Sequence, residues 1–340
     1  MRLSNILPTV AMFALPVANL SAQTPPAFDF QEVAPGVYCA IGNGSMNVGA
    51  NVVAIVNDRE VLLVDSATSP AAALRLKEEL KRVTDRPVRY VVNTHFHFDH
   101  TFGNQVFAPE AVIIGHEYTR QQLPAGTPTG KTYTGFMRGV EQQIGQLKRQ
   151  ADQETDPAKK AELLEKARFQ EKFQSEVKSV TVLPPNLTFP DRITLFFGNR
   201  KIELIHFGPA HTAGDVVVYL PAEKLVCTGD LYNGYVGYLG DAFANQWADA
   251  LGEFEKLDFE TVVPGHGKPF KGKERIPIVQ ACLRDLWAQA RALKGRGVSA
   301  ADAAKQIDLT KYKTNLPQFS APGVSQAVAE RIFELLREGK

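Results

Sequence analysis

One pattern occurs twice along the 340-residue chain, and it limits the folds open to it. The apolar run Asn51-Val-Val-Ala-Ile-Val-Asn57 turns into Val61-Leu-Leu-Val-Asp65. Later, Asp215-Val-Val-Val-Tyr-Leu220 turns into Leu225-Val-Cys-Thr-Gly-Asp230. Short, β-branched runs joined by polar turns read as hairpins. Each hairpin is followed by an expected helix, about Pro70 to Arg82 and about Trp247 to Lys256, and then by a further strand. Those strands, Arg89–Asn93 and Thr261–Val263, lead into His95 and His266. Two β-β-α-β units thus deliver carboxylate and imidazole groups from strand ends. Nearly continuous apolar strands imply sheets covered on both faces. Two such sheets packed together with helices outside make an α/β/β/α sandwich, with a shared site where the strand ends meet.

Two helical regions fall outside this repeat. Residues 118–177 read as a helical hairpin inserted into the fold: Phe136, Val140, Ile144 and Leu147 recur at helical spacing, and Phe169, Phe173 and Val177 form a second stripe. Asp156-Pro157 suits the cap and first turn of its second helix. The hairpin serves either as a peripheral support or as a wall of a substrate site. Residues 276–338 read as several further helices, with no chemistry assigned.

The start of the chain reads as an export signal spanning residues 1–22, with Arg2, the apolar stretch Ile6–Leu20 and the small pair Ser21-Ala22 before Gln23. The stretch is short for a membrane span. The expected mature protein, residues 23–340, is a single domain, periplasmic or secreted, with no membrane span. A net charge of +1 without a long basic run argues against nucleic acid and for a small-molecule substrate. Cys39, Cys227 and Cys282 are an odd set with apolar neighbours, and read as buried structural thiols.

The segment Thr94-His95-Phe96-His97-Phe98-Asp99-His100 carries the strongest chemical signal. Three of the chain's seven histidines lie within it. In an extended segment His95 and His97 project to one side, and a following turn lets Asp99 and His100 face a second position. Imidazoles with a carboxylate suit borderline metals such as zinc or iron; solvated loop histidines are the alternative.

This His-x-His-x-Asp-His motif resembles the signature of the metallo-β-lactamase superfamily. The resemblance extends through His211 in Gly208-Pro-Ala-His-Thr-Ala-Gly-Asp215, Asp230 in Thr228-Gly-Asp230, and His266 in Val263-Pro-Gly-His-Gly267. It implies the αββα metallo-β-lactamase sandwich and two zinc ions per chain, with iron as the alternative metal. By the resemblance, His95, His97 and His211 hold the first ion. Asp99, His100 and His266 hold the second, and Asp230 bridges both. A hydroxide between the ions would be the nucleophile, and Asp99 would also orient it or shuttle its proton. Asp230 resembles the bridging aspartate of glyoxalase II-like and lactonase-like members rather than the residues of zinc β-lactamases. The implied activity is hydrolysis of an ester, thioester, lactone or lactam. The alternatives are a β-lactamase proper, a mononuclear iron oxidoreductase of the persulfide dioxygenase type, and a non-catalytic metal-binding protein.

Weaker candidates complete the reading. Asp65, at a strand end equivalent to that of Asp230, is expected to orient a ligand imidazole. Asp215 either does the same or braces the His211 loop. His116 and His206 read as structural. Tyr232, Asn233, Tyr235 and Tyr238 follow Asp230 and either line a pocket or pack beneath the helical hairpin.

Overall fold

The computed structural model describes residues 25–339; the expected export signal lies outside the described residues. The strands are β1 (Phe28–Ala34), β2 (Val37–Gly42), β3 (Val52–Val56), β4 (Val61–Val64), β5 (Val88–Val92), β6 (Val112–His116), β7 (Leu187–Phe189), β8 (Arg192–Phe197), β9 (Arg200–Ile205), β10 (Val217–Leu220), β11 (Leu225–Gly229), β12 (Thr261–Pro264) and β13 (Phe270–Lys271). Strands β1 to β7 form one sheet in sequence order, and the second sheet runs β13-β12-β11-β10-β9-β8. The helices are α1 (Pro70–Glu79), α2 (Phe98–Thr101), α3 (Asn104–Phe107), α4 (Glu117–Gln122), α5 (Lys131–Gln153), α6 (Pro157–Val177), α7 (Ala244–Glu255), α8 (Ile276–Gly295), α9 (Ala300–Gln306) and α10 (Gln326–Arg337).

Strand alternation explains the layering. In β4, Leu62 and Val64 face the core between the sheets, while Val61 and Leu63 face the layer containing α1 and α3. In β10, Val218 and Leu220 face the same inter-sheet core, while Val217 and Tyr219 pack toward α7 and α8. Every one of these eight residues is buried because each sheet is covered on both sides. The arrangement is the expected α/β/β/α sandwich. Both hairpins form in antiparallel register, Val53 opposite Val64 and Val218 opposite Cys227. Cys39, Cys227 and Cys282 are free and buried, as read from their neighbours.

Each hairpin's second strand pairs in parallel with the strand that follows its helix: β4 with β5, and β11 with β12. All four therefore end at one edge, where open α/β sheets characteristically place their sites. Two cross-sheet ties close that edge. The Asn51 N–H donates to Gly265 O at 2.8 Å, and the Val216 N–H donates to Thr94 O at 2.7 Å.

The inserted helices form with boundaries narrower than the 118–177 reading: the long pair α5 and α6 follows the short α4 and a loop. Asp156 caps α6 by accepting from the N–H groups of Ala158 and Lys159. Val140, Ile144, Phe173 and Val177 pack with Phe98 and Phe102, so the hairpin is seated on the residues beside the histidine motif. Phe136 departs from the stripe expectation. It is 43% exposed: one side of its ring meets Phe98 of α2 and Phe173 of α6, at centroid distances of 4.8 and 6.1 Å, and the other borders the cavity beside the histidine motif. Helix α7 begins at Ala244, ahead of the expected Trp247. The C-terminal helices α8, α9 and α10 cover the second sheet. Among the described residues, no helix is long and apolar enough to cross a membrane.

Candidate metal centre

Strand ends supply the centre's scaffold. After β5 the chain bends through Thr94, His95 and Phe96 instead of continuing as strand. His97 then caps α2 from an extended conformation, and Thr101 Oγ1 donates back to His97 O at 2.9 Å. This places His95 and His97 before the helix, and Asp99 and His100 on its first turn. Glycine keeps the opposite wall clear: a Cβ at Gly265 would sit 2.4 Å from Asp230 Oδ1 and 2.9 Å from His100 Cε1.

The seven residues singled out in the sequence come together. His95 Nε2 and His211 Nε2 each lie 3.0 Å from His97 Nδ1. Tetrahedral coordination with metal–nitrogen bonds near 2 Å separates ligand atoms by about 3.4 Å, close to this spacing. Asp99, His100 and His266 form a second group with ligand atoms within 4.8 Å of one another. Asp230 stands between the groups: its Oδ2 is 3.5 Å from both His211 Nε2 and His266 Nε2. His100 Nε2 is buried without a hydrogen-bond partner. An orphaned imidazole nitrogen facing two carboxylates at 3.7 Å is the state a ligand takes when its partner is a cation. The donor set therefore fits two metal ions.

Neighbouring side chains fix which nitrogen each ring presents. Asp65, in a left-handed conformation at φ 64 after β4, accepts from the Thr94 N–H at 2.8 Å and from His100 Nδ1 at 2.7 Å. The Thr94 hydroxyl also donates to Asp65 and contacts His95 Nδ1 at 3.1 Å. Asp65 thus turns His100 Nε2, and through Thr94 His95 Nε2, into the centre. Asp241 does the same for His97, whose Nε2 it meets at 3.1 Å, and it accepts the Thr132 hydroxyl of α5. Asn233 donates to Asp230 Oδ1 at 3.1 Å and accepts from the His266 N–H at 3.2 Å.

Electrostatics divides the imidazoles. Burial, reinforced by the neighbouring rings, holds His95 well below the ordinary histidine range. Burial also lowers His211, to about 3. Burial alone would lower His100 too, but Asp65 and Asp99 push it up to about 9. His266 is driven to about 11 in the same way, its burial outweighed by Asp230 and Asp99. Those cations in turn hold Asp99 and Asp230 below the usual carboxylate range despite burial.

Other sequence candidates resolve individually. Asp215 accepts from the Thr212 N–H at 2.9 Å and from its hydroxyl at 2.6 Å, so it braces the His211 loop. His116 accepts from the Tyr118 N–H at the start of α4, and His206 Nδ1 meets Asp215 O at 2.9 Å; both are structural. Tyr232 is buried against Phe254 and Phe270. Tyr235 and Tyr238 line a cavity of about 790 Å³ above the centre, with Phe98, Phe136 and Val236. Sequence reading missed Asp241, Thr94 and Asn51, whose Nδ2 donates to Pro264 O at 3.0 Å and Gly267 O at 2.7 Å and so holds the loop that carries His266. Asp241 is 144 positions from its partner and carries no motif. Thr94 stood beside the motif, and its position opposite the strand-end Asp65 could have revealed it.

Comparison with known proteins identifies the family. The model of the metallo-beta-lactamase superfamily matches residues 47–266, which contain all seven residues. The chain belongs to the metallo-β-lactamase superfamily. A linear primary-alkylsulfatase of Pseudomonas sp. (strain ATCC 19151) is 22% identical over 240 residues, covering 67% of this chain and 43% of that protein. The 2,4-dinitroanisole O-demethylase subunit alpha of Nocardioides sp. (strain JS1661) is 26% identical over 222 residues, covering 63% and 51%. The chain thus spans about half the length of the curated relatives it matches. Among solved structures, a metallo-beta-lactamase from Pontibacter korlensis superposes with a TM-score of 0.53 at 18% identity, covering 76% of this chain and 99% of that one. At that identity the match speaks for the fold alone.

Proposed function

We propose that this chain is a hydrolase that holds two zinc ions and cleaves an acyl bond in an ester, thioester, lactone or lactam. The observation that carries the reading is Asp230 Oδ2, equidistant from an imidazole of each group. His95, His97 and His211 would hold one ion; Asp99, His100 and His266 would hold the other; Asp230 would be shared. Two such ions supply Lewis acidity for the scissile group and water that ionises near neutral pH. The chain's own residues do the rest. Asp65, Thr94 and Asp241 hold the imidazoles in fixed tautomers, and Asn233 fixes Asp230. Asp99 Oδ2, 3.2 Å from His266 Nε2 at the cavity floor, is the group placed to hold or move a proton. The aromatic side chains of Phe98, Tyr235 and Tyr238 line the cavity above the centre and offer an apolar face to the substrate.

The full seven-residue set favours this reading over a single-iron oxidoreductase, which needs fewer ligands. A sulfate ester is the second reading, favoured by the similarity to the alkylsulfatase over 67% of the chain. The test is an assay of the zinc-loaded protein, with and without chelator, on activated carboxylic esters, thioesters, lactones, a chromogenic cephalosporin and an aryl sulfate. Chelator-sensitive release from an acyl substrate is expected. Release from the sulfate alone selects the second reading. Oxygen uptake by an iron-loaded form, with no hydrolysis, overturns both.

A further inference from the structure

The cavity above the metal centre carries a charge pattern that the hydrolytic chemistry does not use. Lys131 and Arg138 line it from α5. They stand seven positions apart, which places them on one helix face about 10 Å apart along the axis. Thr134 and Gly135 occupy the same face between them and also line the cavity. A Cβ at Gly135 would meet nothing within 4 Å, so the space between the two cations is open. Neither cation has an ion-pair partner among the described residues.

No carboxylate answers them within the cavity. The acidic residues lining it are Asp99 and Asp230, both on the floor and both engaged with His100 and His266, and Asp241 behind the wall is engaged with His97 and Thr132. Two divalent ions bound there would outweigh these two carboxylates, leaving floor and rim positive together. Lys131 also sits at the first turn of a 23-residue helix, whose dipole disfavours a cation. The remaining walls are aromatic and apolar: Phe98, Phe136, Tyr235, Val236 and Tyr238. Phe136 and Tyr238 keep 43% and 46% of their surface exposed, an apolar area without a protein partner.

We infer that the substrate is an anionic amphiphile, with an apolar body on the aromatic wall and a carboxylate or similar anion, remote from the scissile bond, held by Lys131 and Arg138. The inference rests on the hydrolase reading for the identity of the floor, but rim recognition can be measured without turnover. The helical insertion is then the specificity element, contributing charge rather than catalytic groups.

The test compares two esters on the zinc-loaded full chain: the 4-nitrophenyl monoester of adipic acid and 4-nitrophenyl hexanoate, which replaces the terminal carboxylate with a methyl group. The readout is the ratio of kcat/KM values, anionic over neutral, after subtraction of uncatalysed hydrolysis. The ratio does not depend on how much protein is folded. It is expected to exceed one, to shrink by about fivefold to tenfold in the Lys131→Gln/Arg138→Gln double variant, as two partly screened charge contacts would give, and to shrink in 1 M salt. A ratio at or below one, or one unchanged in the double variant, overturns the inference while any turnover leaves the hydrolase reading standing. If neither ester is cleaved, equilibrium binding of 4-phenylbutanoate decides. Binding weakened about fivefold or more by the double substitution supports the anion site, and the hydrolase reading is then decided by the thioester, lactone and lactam substrates. Binding unaffected by it overturns the anion site as well.

Discussion

Replacing Asp65 with asparagine separates the metal centre's support from its ligands. Asp65 is 2% exposed and accepts from three donors: the Thr94 N–H at 2.8 Å, the Thr94 hydroxyl at 2.9 Å and His100 Nδ1 at 2.7 Å. Its backbone is left-handed, a conformation asparagine tolerates. Asp65→Asn therefore keeps the turn and removes the charge, and the new NH₂ group faces a donor. Loss of a charge-assisted buried hydrogen bond costs about 1.5–3 kcal/mol. Loss of the carboxylate behind a ligand imidazole typically weakens metal binding by about 10- to 100-fold. The site served directly by Asp65 contains His100, so the ion held with Asp99 and His266 should be the one affected. Zinc titration against a chromogenic chelator should show one near-normal site and one weakened within that range, and denaturant melts of the metal-free protein should show the stability loss. Asp65→Ala should be worse by about another 1 kcal/mol, since alanine pays for the left-handed turn. Two sites of unchanged affinity in the asparagine variant would refute the assignment of Asp65 as the orienting group.

Four further outcomes follow from the same geometry. Gly265→Ala should depress zinc affinity and hydrolysis by at least about tenfold with the fold retained by circular dichroism, because its Cβ would meet Asp230 Oδ1 at 2.4 Å. In the metal-free protein at pH 7, His100 (about 9) and His266 (about 11) hold protons, whereas His95 and His211 lie below their ordinary range and are neutral. The ion bound by Asp99, His100 and His266 should therefore release about two protons and lose roughly 100-fold in affinity per pH unit on acidification, while His95 and His211 should release none to the other ion; calorimetry in buffers of different ionisation enthalpy measures the proton release. Raised histidine pKa values also make the metal-free fold most stable while these rings are charged. That contribution is complete below about pH 6.5 and should fade as pH rises through 9 toward 11, which thermal melts of the chelated protein would detect. Asp99→Ala should lower kcat by about 100-fold even at saturating zinc; full turnover would exclude its proton role.

The sequence made the repeat and the candidate metal-binding cluster legible for a physical reason. Strand alternation and strand-end position are local, so β4 ending at Asp65 and β11 ending at Asp230 could be read from periodicity alone. His95, His97, Asp99 and His100 lie within one short segment, and their order encodes their directions. Asp241 and Asn51 were not legible because they act across 144 and more than 200 positions and belong to no pattern. Phe136 matches the spacing of Val140 and Ile144 and its ring meets Phe173 of α6, but it stands at the edge of the cavity, a border that spacing alone does not show. In the Tyr232–Tyr238 loop, Tyr235 and Tyr238 take the pocket-lining role, while Tyr232 packs on Phe254 of α7 and Phe270 of β13 and not beneath the helical hairpin, a division set by tertiary packing alone.

The proposed centre has seven side chains holding two ions through a shared Asp230. Anomalous diffraction at the zinc edge from crystals of the zinc-loaded protein measures this directly. Two peaks per chain are expected, one among His95, His97 and His211 and one among Asp99, His100 and His266, each within bonding distance of Asp230. A single peak, or two that do not both reach Asp230, would contradict it.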